Sequence, residues 1–276
     1  MKYLLPLFFS LIVVQTNVFA QPSPGSDHVD VSLISEHMPL AAGQSTTLGF
    51  HFDIESGWHT YWRNPGDSGL AARISWELPE GFSTGDIQWP FPGTFEEGHL
   101  ITYGYKDETL LMQPLSVAAS VEPGSYTLEA RLEYLVCEAV CLPAFERHSI
   151  TVEVQSAEQQ ASGHAGLFGR FRDKLPAEAH DLNPAFTTDE GHIILRLEGA
   201  LASAFNPETD PLRFYPIADD LVDNTAAQQI QTADGALWMQ LRLSRYAHST
   251  PGSVAGVLVH GTEHGNRAFH IESHHP

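Results

Sequence analysis

Residues 126–143 read Tyr-Thr-Leu-Glu-Ala-Arg-Leu-Glu-Tyr-Leu-Val-Cys-Glu-Ala-Val-Cys-Leu-Pro, and they contain both cysteines of a 276-residue chain, Cys137 and Cys141. The first nine residues alternate strictly. Tyr126, Leu128, Ala130, Leu132, Tyr134 and Val136 share one face, and Thr127, Glu129, Arg131 and Glu133 share the other. A period of two is the signature of a half-buried β-strand, so the apolar set faces a core. The same parity puts Leu135 and Cys137 on the outward face. Beyond the cysteines, Ile150, Val152 and Val154 alternate with Ser149, Thr151 and Glu153, which predicts an antiparallel partner strand and makes 137–143 the connection of a hairpin.

Other strand signals lie on both sides. They fall at 29–35, 45–54, 58–63, 73–77, 109–117 and 145–154, with turns of Gly, Pro, Asn and Asp between them. Seven short strands of this kind suit an immunoglobulin-like β-sandwich over residues 21–155. Residues 156–166 are small, polar and without period, and read as a linker. Leu167, Phe168, Phe171 and Leu175 then suggest a short helix stopped by Pro176. Strands resume at 192–198, 212–217, 236–243, 254–260 and 267–273, so residues 167–276 read as a second, smaller sandwich. The predicted fold class is all-β, two immunoglobulin-like β-sandwich domains in tandem.

The N-terminus bears on the chemistry of the cysteines. Lys2, an apolar run over 3–14, and Val18-Phe19-Ala20 have the form of a secretory signal peptide over residues 1–20, cut after Ala20. The run is shorter than the ~20 apolar residues that span a bilayer, and no later segment comes closer, so no membrane span is expected after cleavage. Export to the periplasm is the expected destination, a compartment where disulfides persist. Acidic residues outnumber basic ones 34 to 14, giving a formal charge of −20, which argues against nucleic acid as a partner.

Three readings of the cysteine pair stay open on these residues: a thiol:disulfide exchange pair, a structural bridge, or metal ligation. Four residues of extended chain span ~13 Å, whereas a disulfide needs Cα atoms ~4.4–6.8 Å apart. A bridge therefore requires Glu138-Ala139-Val140 to fold back, and Pro143 suggests a break in the ladder there. Closing so small a loop stabilises by only about 2 kcal/mol. Glu138 supplies no thiolate activation, because a carboxylate raises a neighbouring thiol's pKa. A bridge of this kind adds little stability in an exposed place, where exchange is easiest.

The run 57–69, Gly-Trp-His-Thr-Tyr-Trp-Arg-Asn-Pro-Gly-Asp-Ser-Gly, with Trp89-Pro90, Thr102-Tyr103-Gly104-Tyr105 and the cysteine motif, resembles the N-terminal periplasmic region of the DsbD/ScsB thiol:disulfide interchange proteins. The ScsB-like branch is the closer match because its cysteines share this spacing. The resemblance covers residues 28–155 strongly and the remainder weakly. It implies an immunoglobulin-like domain in which Cys137 and Cys141 exchange with partners, Cys141 attacking and Cys137 resolving. It also implies a cap loop over the pair, here Thr102, Tyr103, Gly104 and Tyr105, with Thr102 where a phenylalanine often stands. The partners it implies are a membrane-embedded thiol reductant and periplasmic thioredoxin-like proteins. The sequence to Pro276 contains no membrane domain, so that reductant is expected on a separate chain. No cofactor is implied.

On 58–63, parity places Trp58, Thr60 and Trp62 inward and His59, Tyr61 and Arg63 outward; with Leu135, these outer residues are candidates for partner docking. Asn64-Pro65-Gly66-Asp67 reads as a tight turn without a function of its own. Fifteen histidines, with His248, His260, His264, His270, His274 and His275 crowding the second half, lack a metal-site spacing such as HExxH, and no metal site is expected. The rival function is a non-catalytic β-sandwich binding or chaperone-like module with a structural disulfide.

Overall fold

The computed structural model describes residues 24–247, 249–262 and 265–274. The signal peptide and His248, His264 and His275 lie outside the described residues.

The first sandwich contains β1 (Val29–Ser35), β2 (Leu40–Ala41), β3 (Ser45–Ile54), β4 (His59–Gly66), β5 (Arg73–Glu77), β6 (Phe82–Thr84), β7 (Gly93–Glu97), β8 (Leu100–Tyr105), β9 (Glu108–Val117), β10 (Gly124–Cys137) and β11 (Cys141–Gln155). One sheet has the order β1-β3-β9-β6. The other runs β2-β11-β10-β4-β8-β7, with β5 also paired to β10. The alternation of β10 behaves as the sequence requires: Leu128, Ala130, Leu132, Tyr134 and Val136 are buried, and Thr127, Glu129, Arg131 and Glu133 are exposed. Their inner face meets Phe50, Phe52 and Leu111 of the facing sheet.

The second sandwich is built from β12 (Ala177–Glu178), β13 (Asn183–Asp189), β14 (His192–Glu198), β15 (Leu212–Pro216), β16 (Gln229–Ala233), β17 (Ala236–Arg242), β18 (Ser253–Thr262) and β19 (Gly265–His274). Its sheets run β12-β19-β18-β15 and β13-β14-β17-β16 around Leu195, Leu197, Phe214, Leu237, Met239 and Leu258. The molecule is thus all-β with two immunoglobulin-like sandwiches in tandem.

The join between them differs from a free linker. Met38 N donates to Gln160 O, Ser162 Oγ donates to Ser35 O at 2.6 Å, and Ala161 bridges His37, so residues 160–162 run along the first sandwich. Helix α1 (Ala165–Arg172) follows. Phe168 and Phe171 pack on Ile34, Leu110 and Met112, on the outside of the first sandwich rather than within the second. Gly49 leaves the space for this, since a Cβ there would sit 3.1 Å from the Phe168 ring. The sequence showed the helix's apolar stripe but not which sandwich it covers.

Candidate functional site

The hairpin closes with Cys137 opposite Cys141, Val136 opposite Leu142 and Leu135 opposite Pro143. Residues 138–140 fold back as a turn, with Glu138 N donating to Val140 O, and the cysteines are joined as a disulfide with Cα atoms 4.2 Å apart. Pro143 does not break the ladder. It lies inside β11, whose far side at this end has no strand partner because β2 pairs only with Val154 and Gln155; proline is tolerated at such an edge.

The two sulfurs have unequal surroundings. Cys141 is exposed with Glu138, Ala139 and Val140, whereas Cys137 is 0% exposed. The expectation of a surface thiol at Cys137 is corrected: the residue leaves the outer face of the sheet, but other side chains cover that face here. The cover comes from β4, which pairs with β10 so that His59 stands opposite Cys137. Two residues further on, the Tyr61 hydroxyl donates to Cys137 Sγ at 2.8 Å and lies 3.5 Å from Cys141 Sγ.

Strand register assembles the rest of this face. Tyr61 pairs with Gly104 of β8, Gly104 with Gly93 of β7, Thr102 with Phe95, and Leu100 with Glu97. Alternation therefore sets His59, Tyr61, Thr102, Gly104, Phe95 and Glu97 on the same side as Cys137. The contacts agree. His59 stacks on Phe95 with ring centroids 4.6 Å apart, Thr102 Oγ1 donates to Glu97 Oε1, and His59 Nε2 lies 2.9 Å from that carboxylate. The geometry at His59 Nε2 does not meet that of a hydrogen bond, so the two groups are in close contact without one. Gly104 permits the close approach of β8 to β4, because a Cβ there would meet Thr60 O at 1.9 Å.

The cap expectation changes accordingly. Leu100–Tyr105 is a strand, not a loop. Tyr103 and Tyr105 point to the opposite, core side: Tyr105 Oη donates to Pro90 O, and Tyr103 Oη donates to Asn224 Oδ1 of the second sandwich. Thr102 and Gly104 do share the cysteine face. The docking expectation also changes. His59 and Tyr61 are buried and Leu135 is half-buried, whereas Arg63 is exposed as expected, beside a small cavity of about 260 Å³ that Ile217 and His270 of the second sandwich also line. The side chain that touches the sulfurs, Tyr61, was read from sequence as surface; its parity was visible, but its meeting with a cysteine 76 residues away was not.

Burial sets the protonation states. It raises the Tyr61 phenol well above its usual range, with the Glu97 charge adding to the effect, so the hydroxyl stays a donor. Burial lowers the His59 pKa, opposed by Glu97, which favours neutral imidazole near neutral pH. Among the described residues, no group of three or more His, Cys, Asp or Glu is placed to hold a metal ion. None of the described helices is long and apolar enough to cross a membrane.

The first sandwich carries its disulfide at the end of the β10–β11 hairpin. The family model described as "Thiol:disulfide interchange protein DsbD, N-terminal" matches residues 32–153. The first sandwich is thus similar to the N-terminal domain of the DsbD proteins. Its hairpin disulfide accordingly belongs to a thiol:disulfide interchange module. The N-terminal periplasmic domain of ScsB from Proteus mirabilis superposes with a TM-score of 0.63 at 17% identity, covering 92% of this chain and 96% of that one, so the fold likeness extends through the second sandwich. Domains 5–6 of the S-layer protein SbsC (TM-score 0.24, 9% identity, 89% of this chain and 97% of that one) and the tandem Ig repeats of Dlar (0.21, 10%, 93% and 99%) align too loosely to inform the site. No curated protein matches the chain.

Proposed function

We propose that this chain is a periplasmic dithiol/disulfide relay that passes reducing equivalents from a membrane-embedded thiol reductant, on a separate chain, to thioredoxin-like partner proteins. The observation that supports this reading is the asymmetry of the pair, Cys141 an exposed residue and Cys137 a fully buried one whose sulfur takes the Tyr61 hydroxyl.

Oxidised chain is recharged when a thiolate of the reductant attacks Cys141 Sγ. The bond to Cys137 breaks, and its electron pair leaves on Cys137 Sγ as a thiolate that receives the Tyr61 hydrogen bond. A second thiol of the reductant then attacks the mixed disulfide and frees Cys141. In the delivery half-reaction the Cys141 thiolate attacks a partner's disulfide, and Cys137 resolves the mixed disulfide, leaving the partner reduced and the chain oxidised. A hydrogen bond to a charged group contributes about 1.5–3 kcal/mol, more than one to a neutral sulfur, so the Tyr61 contact favours the state in which Cys137 carries charge.

Equilibration of the folded protein with glutathione buffers, followed by thiol trapping, tests the reading. A midpoint among known exchange proteins and a mixed disulfide trapped at Cys141 in a Cys137→Ala chain are expected. A disulfide reducible only after unfolding would overturn it.

A further inference from the structure

Residues 64–67 read as a plain turn in the sequence, yet Asn64 is 2% exposed and its side-chain amide both donates and accepts hydrogen bonds. Its Nδ2 donates to Pro216 O at 2.8 Å and to Ala218 O at 3.2 Å, both in the second sandwich, while its Oδ1 accepts from Gly66 N. Three residues on, Asp67 Oδ1 accepts from Asn224 Nδ2 at 2.8 Å, and its Oδ2 accepts from Ile101 N of β8. Asn224 is used twice, because its Oδ1 also takes the Tyr103 hydroxyl. Tyr215 adds ring contacts to Trp62 and Tyr103 and lies 3.1 Å, oxygen to oxygen, from Thr94. The second sandwich thus grips this strap, β7 and β8 together.

The far end of the strap lies on the site. Gly69, with φ +105°, packs so closely on the Tyr61 ring that a Cβ there would come within 2.2 Å of Cε1. Tyr61 has the β-sheet beneath it and the Gly69 backbone against its ring, and its hydroxyl reaches Cys137 Sγ. Polar contacts from the second sandwich hold the strap at Asn64 and Asp67. A position that must be kept to a few tenths of an ångström is therefore fixed by a domain that contributes no atom to the pair.

We propose that the second sandwich is a brace whose hold on the strap 64–69, through Asn64 and the Asp67–Asn224 pair, seats the Tyr61 hydroxyl on the Cys137 sulfur and so sets the exchange rate of the disulfide. The proposal rests on the exchange reading above. Asn64, Asp67 and Asn224 are positioning residues in it, acting only through Tyr61.

Asp67 is exposed and Asn224 half-exposed, so this pair can be altered without opening a core. Asn224→Asp removes the donor and sets a carboxylate against Asp67, and Asn224→Ala removes the bonds without adding charge. The exchange Asp67→Asn with Asn224→Asp restores one donor and one acceptor in reversed order, while position 67 still accepts from Ile101 N and position 224 from Tyr103. The measurement is the second-order rate of disulfide reduction by dithiothreitol in the folded full chain, with circular dichroism confirming the fold. Asn224→Asp and Asn224→Ala are expected to slow reduction at least fivefold, the reciprocal exchange to return it to within twofold, and either variant to change it less than twofold when Tyr61→Phe is already present. Equal slowing with and without Tyr61, no rescue, or no slowing overturns the brace. A parent disulfide that resists reduction while folded overturns the exchange reading and the brace with it, whereas one reduced at the same rate in every variant overturns the brace alone.

Discussion

The Tyr61 hydroxyl donates to Cys137 Sγ at 2.8 Å and stands 3.5 Å from Cys141 Sγ, one phenol reaching both atoms of a disulfide whose partners lie in different surroundings. Tyr61→Phe removes the donor and keeps the ring. Attack on Cys141 should slow about tenfold, the equivalent of about 1.4 kcal/mol lost from the charged leaving group, while stability changes by less than about 1 kcal/mol. Stopped-flow reduction by dithiothreitol, alongside urea unfolding, separates the two effects; unchanged kinetics would remove Tyr61 from the chemistry.

Unequal burial predicts unequal alkylation. In reduced chain, iodoacetamide should modify Cys141 at least tenfold faster than Cys137, because a thiolate must be reachable to react. Peptide mapping after short exposure reads this directly, and equal labelling would contradict the sealed position of Cys137.

Gly69→Ala would place a Cβ against the Tyr61 ring from a backbone at φ +105°. Left-handed strain alone costs of order 1–3 kcal/mol, and the clash adds to it. Urea unfolding should show a loss of at least that size together with slowed reduction by dithiothreitol.

His59 gives a pH dependence of defined sign. Burial lowers its folded-state pKa below the ordinary value of about 6.5, so on acidification the unfolded chain takes up this proton first. Its contribution to stability is complete above about pH 6.5 and is lost as pH falls from there toward the lowered folded value. A His59→Gln chain should show a flatter stability profile below pH 6.5 in urea titrations. A steeper one would mean that Glu97 outweighs burial.

Helix α1 gives a packing test. Phe168 is 0% exposed between Ile34, Leu110 and Met112, and Phe168→Ala should cost about 3–5 kcal/mol, seen as destabilisation of the first sandwich rather than the second. Domain-resolved hydrogen exchange distinguishes the two.

Strands with one wet face were legible in the sequence as alternation. β10 declared itself through Tyr126 to Val136, and β1, β3 and β5 through similar patterns. β8 did not, because Thr102, Tyr103, Gly104 and Tyr105 are all buried, the tyrosines in the core and the others against the cysteine face, so no alternation survives. β13 was missed for the opposite reason: at a sheet edge it buries only Phe186. The hairpin was readable from the alternation on either side of the cysteines, whereas the residues alone left the role of the pair open among exchange, structure and metal ligation. The burial of Cys137 and the role of Asn64 were not, since each depends on a partner 76 or 152 residues away.

β8 also carries a constraint on how this protein can vary. Neighbouring residues on it serve opposite sides of one sheet: Tyr103 and Tyr105 fill the interior, Tyr103 reaching across to Asn224 and Tyr105 to Pro90 O, while Thr102 and Gly104 border the sulfurs. A slip of one position would put phenol rings where only Gly104 leaves room and a threonine hydroxyl into oil. The short turn at Gly98 and His99 that joins β7 to β8 therefore acts as the ruler of the site. Single-residue insertions or deletions there should be far more damaging than substitutions, even though no residue of that turn is near either sulfur in the strand register.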